Sequence, residues 1–434
     1  MQNYFGTDGI RGKVGENVTP AVAYQLGSAL SRPQALIVIG RDTRVSGPML
    51  SSALSQGVYD WGGNCINIGV VPTNAVSHFV RKFNADFGVM VSASHNPPNY
   101  NGFKVFDRYG AKLCAQEELR ISEVMSQRKV YFPKQQHEDR VYENIEKLYI
   151  DDLIELADCD LKGLDISIDC CFGSAFSVAP KLFRKAGAKV KSYCYFGRGD
   201  KINVECGATN PLFLGGLIDK NTPLAFAFDG DADRLAAFEE GVLLDNNKVF
   251  YCFAKYLKER GMLEKDLAVG TVLTNKGLEE SFKKLGITLL RSDVGDTKMY
   301  RLMLERGASL AGEESGHYIF SKMSCSSDAL LNALILCKIY REVGNLKEYS
   351  KELQLLPVYT KNIPLAKEQA AELAKKETYS RLNGAYAARY PSYRIIFRPS
   401  GTEPLARVFV EGEEEKAQEI LAQAVSDLLE DGNF

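Results

Sequence analysis

The feature that most limits how this chain can fold is the alternation of short apolar runs with helix-length amphipathic stretches along most of its 434 residues. Such alternation argues for an α/β architecture. The clearest run, Phe87 to Val91, stops abruptly at Ser92-Ala93-Ser94-His95-Asn96-Pro97-Pro98. Proline and asparagine cannot continue a ladder, so the run reads as a buried strand delivering a polar loop. The length exceeds what one core can organise and predicts about three domains, give or take one.

In chain order, Thr19-Pro20 predicts a capped helix to about residue 30, followed by a strand over 35–39 and the segment GRDTRVSG. Ser46 is expected to cap a helix over 47–61, and strand, helix and strand follow over 65–70, 73–83 and 86–91. A strand over 103–107 and a charged stretch around 126–142 end the first set. The second set has a helix over 142–156, a strand over 164–170, a helix over 174–186, a strand over 189–195 and a helix after Pro211. It ends in the strand of LAFAFDGDADR. The third has strands over 267–274 and 288–291, helices over 276–285 and 296–306, a strand into GEESGH, and a helix over 326–342. The last segment predicts strands over 357–365, 393–397 and 407–411 and helices over 368–381 and 414–429. The expected domains are 1-152, 153-243, 244-356 and 357-434: three similar α/β units and a smaller α+β unit.

Composition excludes some functions. Apolar content of 45% and charged content of 25% are those of an ordinary globular protein, and the net charge is only −2. No Lys/Arg block marks a nucleic-acid footprint, and no apolar run approaches a membrane span. The ten cysteines form no Cys-x-x-Cys pair, and MQNYFGTDGIRG does not read as a signal peptide. A cytoplasmic chain with reduced thiols is expected, most of them small core residues, with no metal site on cysteine or on the four histidines.

Five loops carry chemistry. In DGDADR, Asp229, Asp231 and Asp233 alternate after an apolar strand, so their carboxylates can converge on one cation. An EF-hand is rejected because position 6 is Arg234 instead of glycine and the flanks read as strands. Three oxygens suit Mg²⁺, which would want a further anionic oxygen. In GEESGH, Glu313, Ser315 and His317 suit hydrogen bonding to a polyol, although a capping or turn role fits that loop equally. In RPSGTEPLAR, Arg398, Ser400, Gly401 and Thr402 equip an anion cradle, with Arg407 at its end; a type I or II turn fits it equally. FGTDGIRG offers Thr7 and Arg11 in similar fashion. Ser-His-Asn-Pro alone reads as a turn, although Ser94, His95 and Lys104 together have the groups for nucleophile and proton chemistry.

In this order, TDGIRG, SASHNP, DGDADR, GEESGH and RPSGTEP resemble the motifs of the α-D-phosphohexomutase superfamily, over the whole chain. FGTDGIRGKVGE, the VGD at 294–296 and SGTEPLARVFVEG are most similar to its bacterial glucosamine-phosphate branch. The resemblance implies four domains with mixed sheets around a central cleft. It implies that Ser94 is carried as a phosphoserine, and that Mg²⁺ is held by Asp229, Asp231, Asp233 and an oxygen on Ser94. Glu313 and Ser315 would bind sugar hydroxyls, and Arg398 to Thr402 with Arg407 the phosphate not being transferred. Arg11 and Arg234 would lie near the reacting phosphate, with Lys104, His95 and His317 as proton-shuttle or phosphate contacts.

The implied reaction interconverts glucosamine 6-phosphate and glucosamine 1-phosphate through a sugar 1,6-bisphosphate intermediate and activator, in a monomer or homodimer with no nucleic-acid or membrane partner. Positioning and charge neutralisation carry such chemistry, which explains a metal and several arginines without a triad. Mannose- or glucose-phosphate mutases of the same superfamily are the near alternative; a Mg²⁺-dependent phosphatase and a silent sugar-phosphate-binding protein are the others. Three departures stand out: Ala232 replaces the usual glycine, so its turn is expected to avoid positive φ; CCFGSA at 170–175 replaces an Ala-Asn-Gly stretch; and CSSDAL occupies 325–330.

Overall fold

The structure is a computed structural model describing residues 4–6, 8–130, 142–366, 369–370, 373, 377–399 and 405–431. Two compact units form: residues 1–274 with 282–352, and 275–281 with 353–434.

The first unit contains three mixed sheets built on one plan. In the first, the strand order is Asn64–Val70, Leu36–Arg41, Phe87–Val91, Tyr100–Phe106 and Ile10–Lys13. The first three are parallel and the last two antiparallel. The second repeats the order with Lys189–Tyr193, Asp165–Asp169, Leu224–Phe228, Leu235–Glu239 and Val242–Leu243. The third has Thr288–Ser292, Leu267–Thr271, Leu310–Gly312 and Tyr318–Phe320. In each sheet the chain lays one strand, adds a second on one side, then crosses to place the next on the other side. That crossing is a topological switch point, where the carboxyl ends of parallel strands leave a crevice for ligands. SASHNP, DGDADR and GEESGH each follow the strand laid after the switch.

Burial explains these strands. Leu224–Phe228 is buried along its whole length, as a strand covered on both faces must be. The first sheet packs Ile37, Ile39, Val89, Val91 and Phe103 against Leu26, Leu50 and Leu54 of helices Pro20–Leu30 and Gly47–Asp60. Those helices approach so closely that a Cβ on Gly27 would lie 2.0 Å from the Leu54 carbonyl oxygen.

The second unit pairs Val358–Pro364, Leu405–Glu411 and Arg394–Pro399 in an antiparallel sheet. Helices Thr378–Arg389 and Glu414–Asp431 cover it through Leu382, Tyr386, Ile420, Ala424 and Leu428.

Several expectations need correction. Ser46 occupies the N-cap position but makes no capping bond; its hydroxyl accepts 2.8 Å from Asn101 Nδ2 instead. Thr19 does cap, accepting from the Val22 N–H. The strand expected to reach residue 170 ends at Asp169, because Cys171 and Phe172 turn left-handed with φ of 56° and 52°. The helix after Pro211 is a single turn, Leu212–Gly215. Much of the helix expected over 368–381 lies outside the described residues, as does most of the charged stretch around 126–142. Helices Ala115–Gln127 and Asn246–Glu259 and strands Ile10–Lys13 and Tyr318–Phe320 were not expected.

Candidate active site

Ser94 stands where the strand Phe87–Val91 gives way to its loop, almost fully buried and left-handed at φ 49°. A non-glycine residue in that region costs roughly 1–3 kcal/mol and persists only where its surroundings over-determine it. The surroundings here are explicit. Arg44, fully buried, donates to the carbonyls of Ser94 (2.9 Å), Asn96 (2.7 Å), Tyr100 (3.0 Å) and Pro97, while its Nε meets Asp42 Oδ2 at 3.0 Å. Asn203 Nδ2 donates to the carbonyls of Ser94 (2.7 Å) and Asn96 (3.1 Å). Arg11 reaches Asn96 Oδ1 at 3.3 Å and pairs with Asp8. With its backbone fixed, Ser94 points its hydroxyl at Asp229 Oδ2, 2.9 Å away, and lies 3.4 Å from His95 Nδ1.

The Asp229–Arg234 loop packs directly on that backbone. A Cβ on Gly230 would come within 2.7 Å of the Ser94 carbonyl oxygen, so only glycine permits the approach. Asp229 Oδ1 accepts the N–H groups of Asp233 and Arg234, both at 3.1 Å, which curls the loop. Ala232 does adopt a positive φ, 57°, against expectation; the Asp229 turn and the bond from Ala329 N to the Ala232 carbonyl hold it there. Ser327, within CSSDAL, donates 2.6 Å to the Asp233 carbonyl, so this departure from the family pattern buttresses the loop.

Oxygens of Asp229, Asp231 and Asp233 all lie within 4.8 Å of one another, and all three residues are buried. Burial and the charges of Asp233 and Asp231 push the Asp229 carboxyl up to about 7. Asp231 Oδ1 is buried with no hydrogen-bond partner. An orphaned carboxylate oxygen among converging like charges fits a hard divalent cation with oxygen ligands. Lys104 Nζ meets the same cluster, 2.7 Å from Asp231 and 2.6 Å from Asp233. Burial opposes its charge, but Asp231, Asp233 and Asp8 hold its pKa well above the ordinary lysine value.

The third loop adjoins this cluster through His317, whose Nε2 is 3.1 Å from Asp233 Oδ1 and Nδ1 2.9 Å from Glu313 Oε1. Burial disfavours its charge, yet Asp233 and Glu313 raise it to about 10, so the imidazole is cationic at neutral pH. His95 is the opposite case: burial, with repulsion from Arg234 and Arg11, pushes it down to about 3, so it is neutral. Ser315 donates to Glu313 and lies 2.7 Å from His317 Nδ1. Arg234 is half-buried, with a buried Nε lacking a hydrogen-bond partner.

This chain is 38% identical to a phosphoglucosamine mutase of Caldanaerobacter subterraneus subsp. tengcongensis, over 99% of each chain. It matches the family description "Phosphoglucomutase/phosphomannomutase, alpha/beta/alpha domain I" over residues 2–131, domain III over 245–358 and the C-terminal domain over 360–428. The chain belongs to the phosphoglucomutase/phosphomannomutase family. Solved structures of the family share its fold. One from Burkholderia thailandensis superposes with a TM-score of 0.80 at 23% identity, covering 100% of this chain and 98% of that one. Another is the N-acetylphosphoglucosamine mutase of Aspergillus fumigatus, in complex with GlcNAc-6P and magnesium. It superposes with a TM-score of 0.67 at 17% identity, over 99% of this chain and 96% of that one.

Of the family residues expected from sequence, Ser94, His95, Lys104, Arg11, Asp229, Asp231, Asp233, Arg234, Glu313, Ser315 and His317 all belong to the first unit, where the contacts above link them. Arg398 and Arg407 belong to the second, directly opposite each other on adjacent antiparallel strands, so both guanidinium groups leave one face. Ser400, Gly401, Thr402 and Thr7 lie outside the described residues. Sequence reasoning missed Arg44 and Asp42, although GRDTRVSG was in view, because a buried arginine spending its donors on backbone carbonyls leaves no spacing signal. It also missed Asp8, which meets Lys112 at 2.7 Å and Lys104 at 3.6 Å, and Asp296, 2.6 Å from Lys112.

Proposed function

We propose that this chain is a phosphoglucosamine mutase, an isomerase that interconverts glucosamine 6-phosphate and glucosamine 1-phosphate through phospho-Ser94 and a sugar 1,6-bisphosphate. The observation that carries the reading is Ser94 Oγ, 2.9 Å from Asp229 in a cluster of buried carboxylates, in a chain whose full-length relatives are phosphoglucosamine mutases. A silent sugar-phosphate-binding protein has no need of a phosphorylatable serine held beside a metal-type carboxylate set.

Phospho-Ser94 transfers its phosphoryl group to the free O1 or O6 of the bound sugar phosphate: the new O–P bond forms as the Ser94 Oγ–P bond breaks, and the sugar hydroxyl loses its proton. The bisphosphate turns over, and Ser94 Oγ takes the opposite phosphate back. Asp229, Asp231 and Asp233 would hold Mg²⁺, with an oxygen on Ser94 completing the set, and the ion would supply charge neutralisation at the transferred group. Arg11 and Arg234 stabilise phosphate charge. Neutral His95, 3.4 Å from Ser94 Oγ, is placed to accept a proton, whereas Lys104 and His317 are cationic and placed to donate one. Glu313 and Ser315 bind sugar hydroxyls. Arg398 and Arg407, with Ser400, Gly401 and Thr402, grip the phosphate not being transferred. Each of the four sheets is proposed to mark one domain, divided as 1-152, 153-243, 244-356 and 357-434.

The test is phosphorus NMR of glucosamine 6-phosphate incubated with the protein, Mg²⁺ and a catalytic amount of glucose 1,6-bisphosphate. Growth of the 1-phosphate resonance with phosphate conserved is expected; stoichiometric free phosphate would replace the reading with a phosphatase.

A further inference from the structure

The second sheet carries another cluster of ligating groups, at the carboxyl ends of its other two parallel strands. Asp169 ends the strand Asp165–Asp169, and Cys171 follows in the next turn. Cys194 sits just past Lys189–Tyr193, and Cys206 arrives on the long connection that follows. An Asp169 oxygen and the Sγ atoms of Cys194 and Cys206 all lie within 4.8 Å of one another. Cys171 Sγ is 3.9 Å from Cys206 Sγ. The sequence suggested scattered core thiols and no cysteine-based metal site; the fold instead gathers three thiols and a carboxylate from four separate positions.

We propose that Asp169, Cys194 and Cys206 supply three ligands of a tetrahedral site for a thiophilic divalent cation of the zinc class, with water in the fourth position. With metal–sulfur bonds of about 2.3 Å, neighbouring sulfurs of a tetrahedral site stand about 3.8 Å apart, inside the 4.8 Å that bounds these three ligand atoms. The carboxylate is already aimed: Asp169 Oδ1 accepts the Cys171 N–H at 2.9 Å and Oδ2 the Gly207 N–H at 2.7 Å, and each oxygen keeps a lone pair. The backbone around the cluster is bent to bring these side chains in. Cys171, Cys194, Asn203 and Glu205 all have positive φ, an unusual density of strained non-glycine residues that bound metal would offset. Sulfur ligands separate this site from the all-oxygen Asp229 cluster: thiolates select zinc over magnesium, so the two sites do not compete.

A redox disulfide fits these thiols less well. A disulfide would join two sulfurs and leave the Asp169 carboxylate without a role. Metal binding engages that carboxylate together with both thiolates and releases the two thiol protons. The cluster also has a route to the active site. Cys171, whose Sγ lies 3.9 Å from Cys206 Sγ, keeps its proton and donates to Asn203 Oδ1 at 3.1 Å, and the same amide donates to the Ser94 and Asn96 carbonyls. The metal would therefore act as a structural clamp behind the serine loop.

The test is metal analysis of the full-length protein, purified without chelator and with reductant, then dialysed against a chelator that removes Mg²⁺. About one zinc per chain should remain. Replacing it with Co²⁺ should give the intense thiolate-to-cobalt absorption of a tetrahedral sulfur site. Cys194→Ser and Cys206→Ser should lose the bound metal, while Cys337→Ala, in a helix elsewhere, keeps it. Should a serine variant fail to fold, the cobalt spectrum and a thiol titration of the unmodified protein still decide: zinc-loaded protein should shield two thiols, Cys194 and Cys206, that become reactive when the metal is displaced. Less than about a tenth of an equivalent of zinc after reconstitution, or a disulfide among these cysteines in reductant-free protein, would overturn the proposal. None of these readouts depends on mutase activity.

Discussion

The serine loop and the GEESGH loop follow equivalent strands of two similar sheets, yet they are held in opposite ways. The serine loop is fixed from a distance: Arg44, Asn203 and Arg11, remote in sequence, spend their donors on its carbonyls and on Asn96. The GEESGH loop is held largely by itself, through Glu313 N to the His317 carbonyl, Gly316 N to the Glu313 carbonyl, and the Glu313–Ser315–His317 side-chain contacts. Its outward ties include His317 to Asp233, Leu235 N to the Gly316 carbonyl, and Asn246 to the Glu314 carbonyl. A phosphoryl-transfer centre must present one geometry whichever end of the sugar is reacting. A recognition loop must suit one sugar, and a self-contained loop can change its side chains without disturbing the transfer centre.

That contrast sets the order of expected effects. Ser94→Ala removes the proposed phosphate carrier and should lower mutase turnover at least about a thousandfold, read by a coupled assay, with the fold intact by circular dichroism. Asp231→Asn, or removal of Mg²⁺ by chelator, should cost about a hundredfold or more, restored in the chelated wild-type protein by added Mg²⁺. Arg44→Ala attacks the remote bracing: it strands buried Asp42 and takes a donor away from four carbonyls, and should destabilise the protein by about 3–5 kcal/mol, read as a lowered Tm. Arg44→Lys should recover only part of that, since one ammonium cannot span those acceptors. Ser315→Ala, in the self-contained loop, should leave Ser94 phosphorylation unchanged and raise KM for glucosamine 6-phosphate by roughly tenfold, the scale of one lost hydrogen bond. If Ser315→Ala abolished phosphorylation of Ser94 as well, the two loops would not be separable.

The chemistry was legible in the sequence wherever an apolar run ended in a loop of polar residues. LAFAF before DGDADR and FGVMV before SASHNP announce buried strands and what they deliver. Less legible was whatever depends on a distant partner. Ile10–Lys13 contains glycine, arginine and lysine and becomes a strand only by pairing with residues 100–103. Asn246–Glu259 is rich in aromatic residues that favour strands, and its buried face, including Phe250, Phe253 and Leu257, makes it a helix. The left-handed Ala232 and the donors of Arg44 likewise follow from tertiary packing. The cysteines show the same limit, since positions 171, 194 and 206 have no motif spacing and meet only once two strands lie side by side.

The most direct measurement of the central claim is a phosphate chase. Protein carrying labelled phosphate on Ser94, prepared from labelled sugar bisphosphate, is mixed with unlabelled glucosamine 6-phosphate and Mg²⁺. The account predicts that the label leaves Ser94 and appears in sugar phosphate, with none as free phosphate beyond the background of Mg²⁺-free protein. Label that is released as inorganic phosphate, or that stays on the protein while isomerisation proceeds, would contradict it.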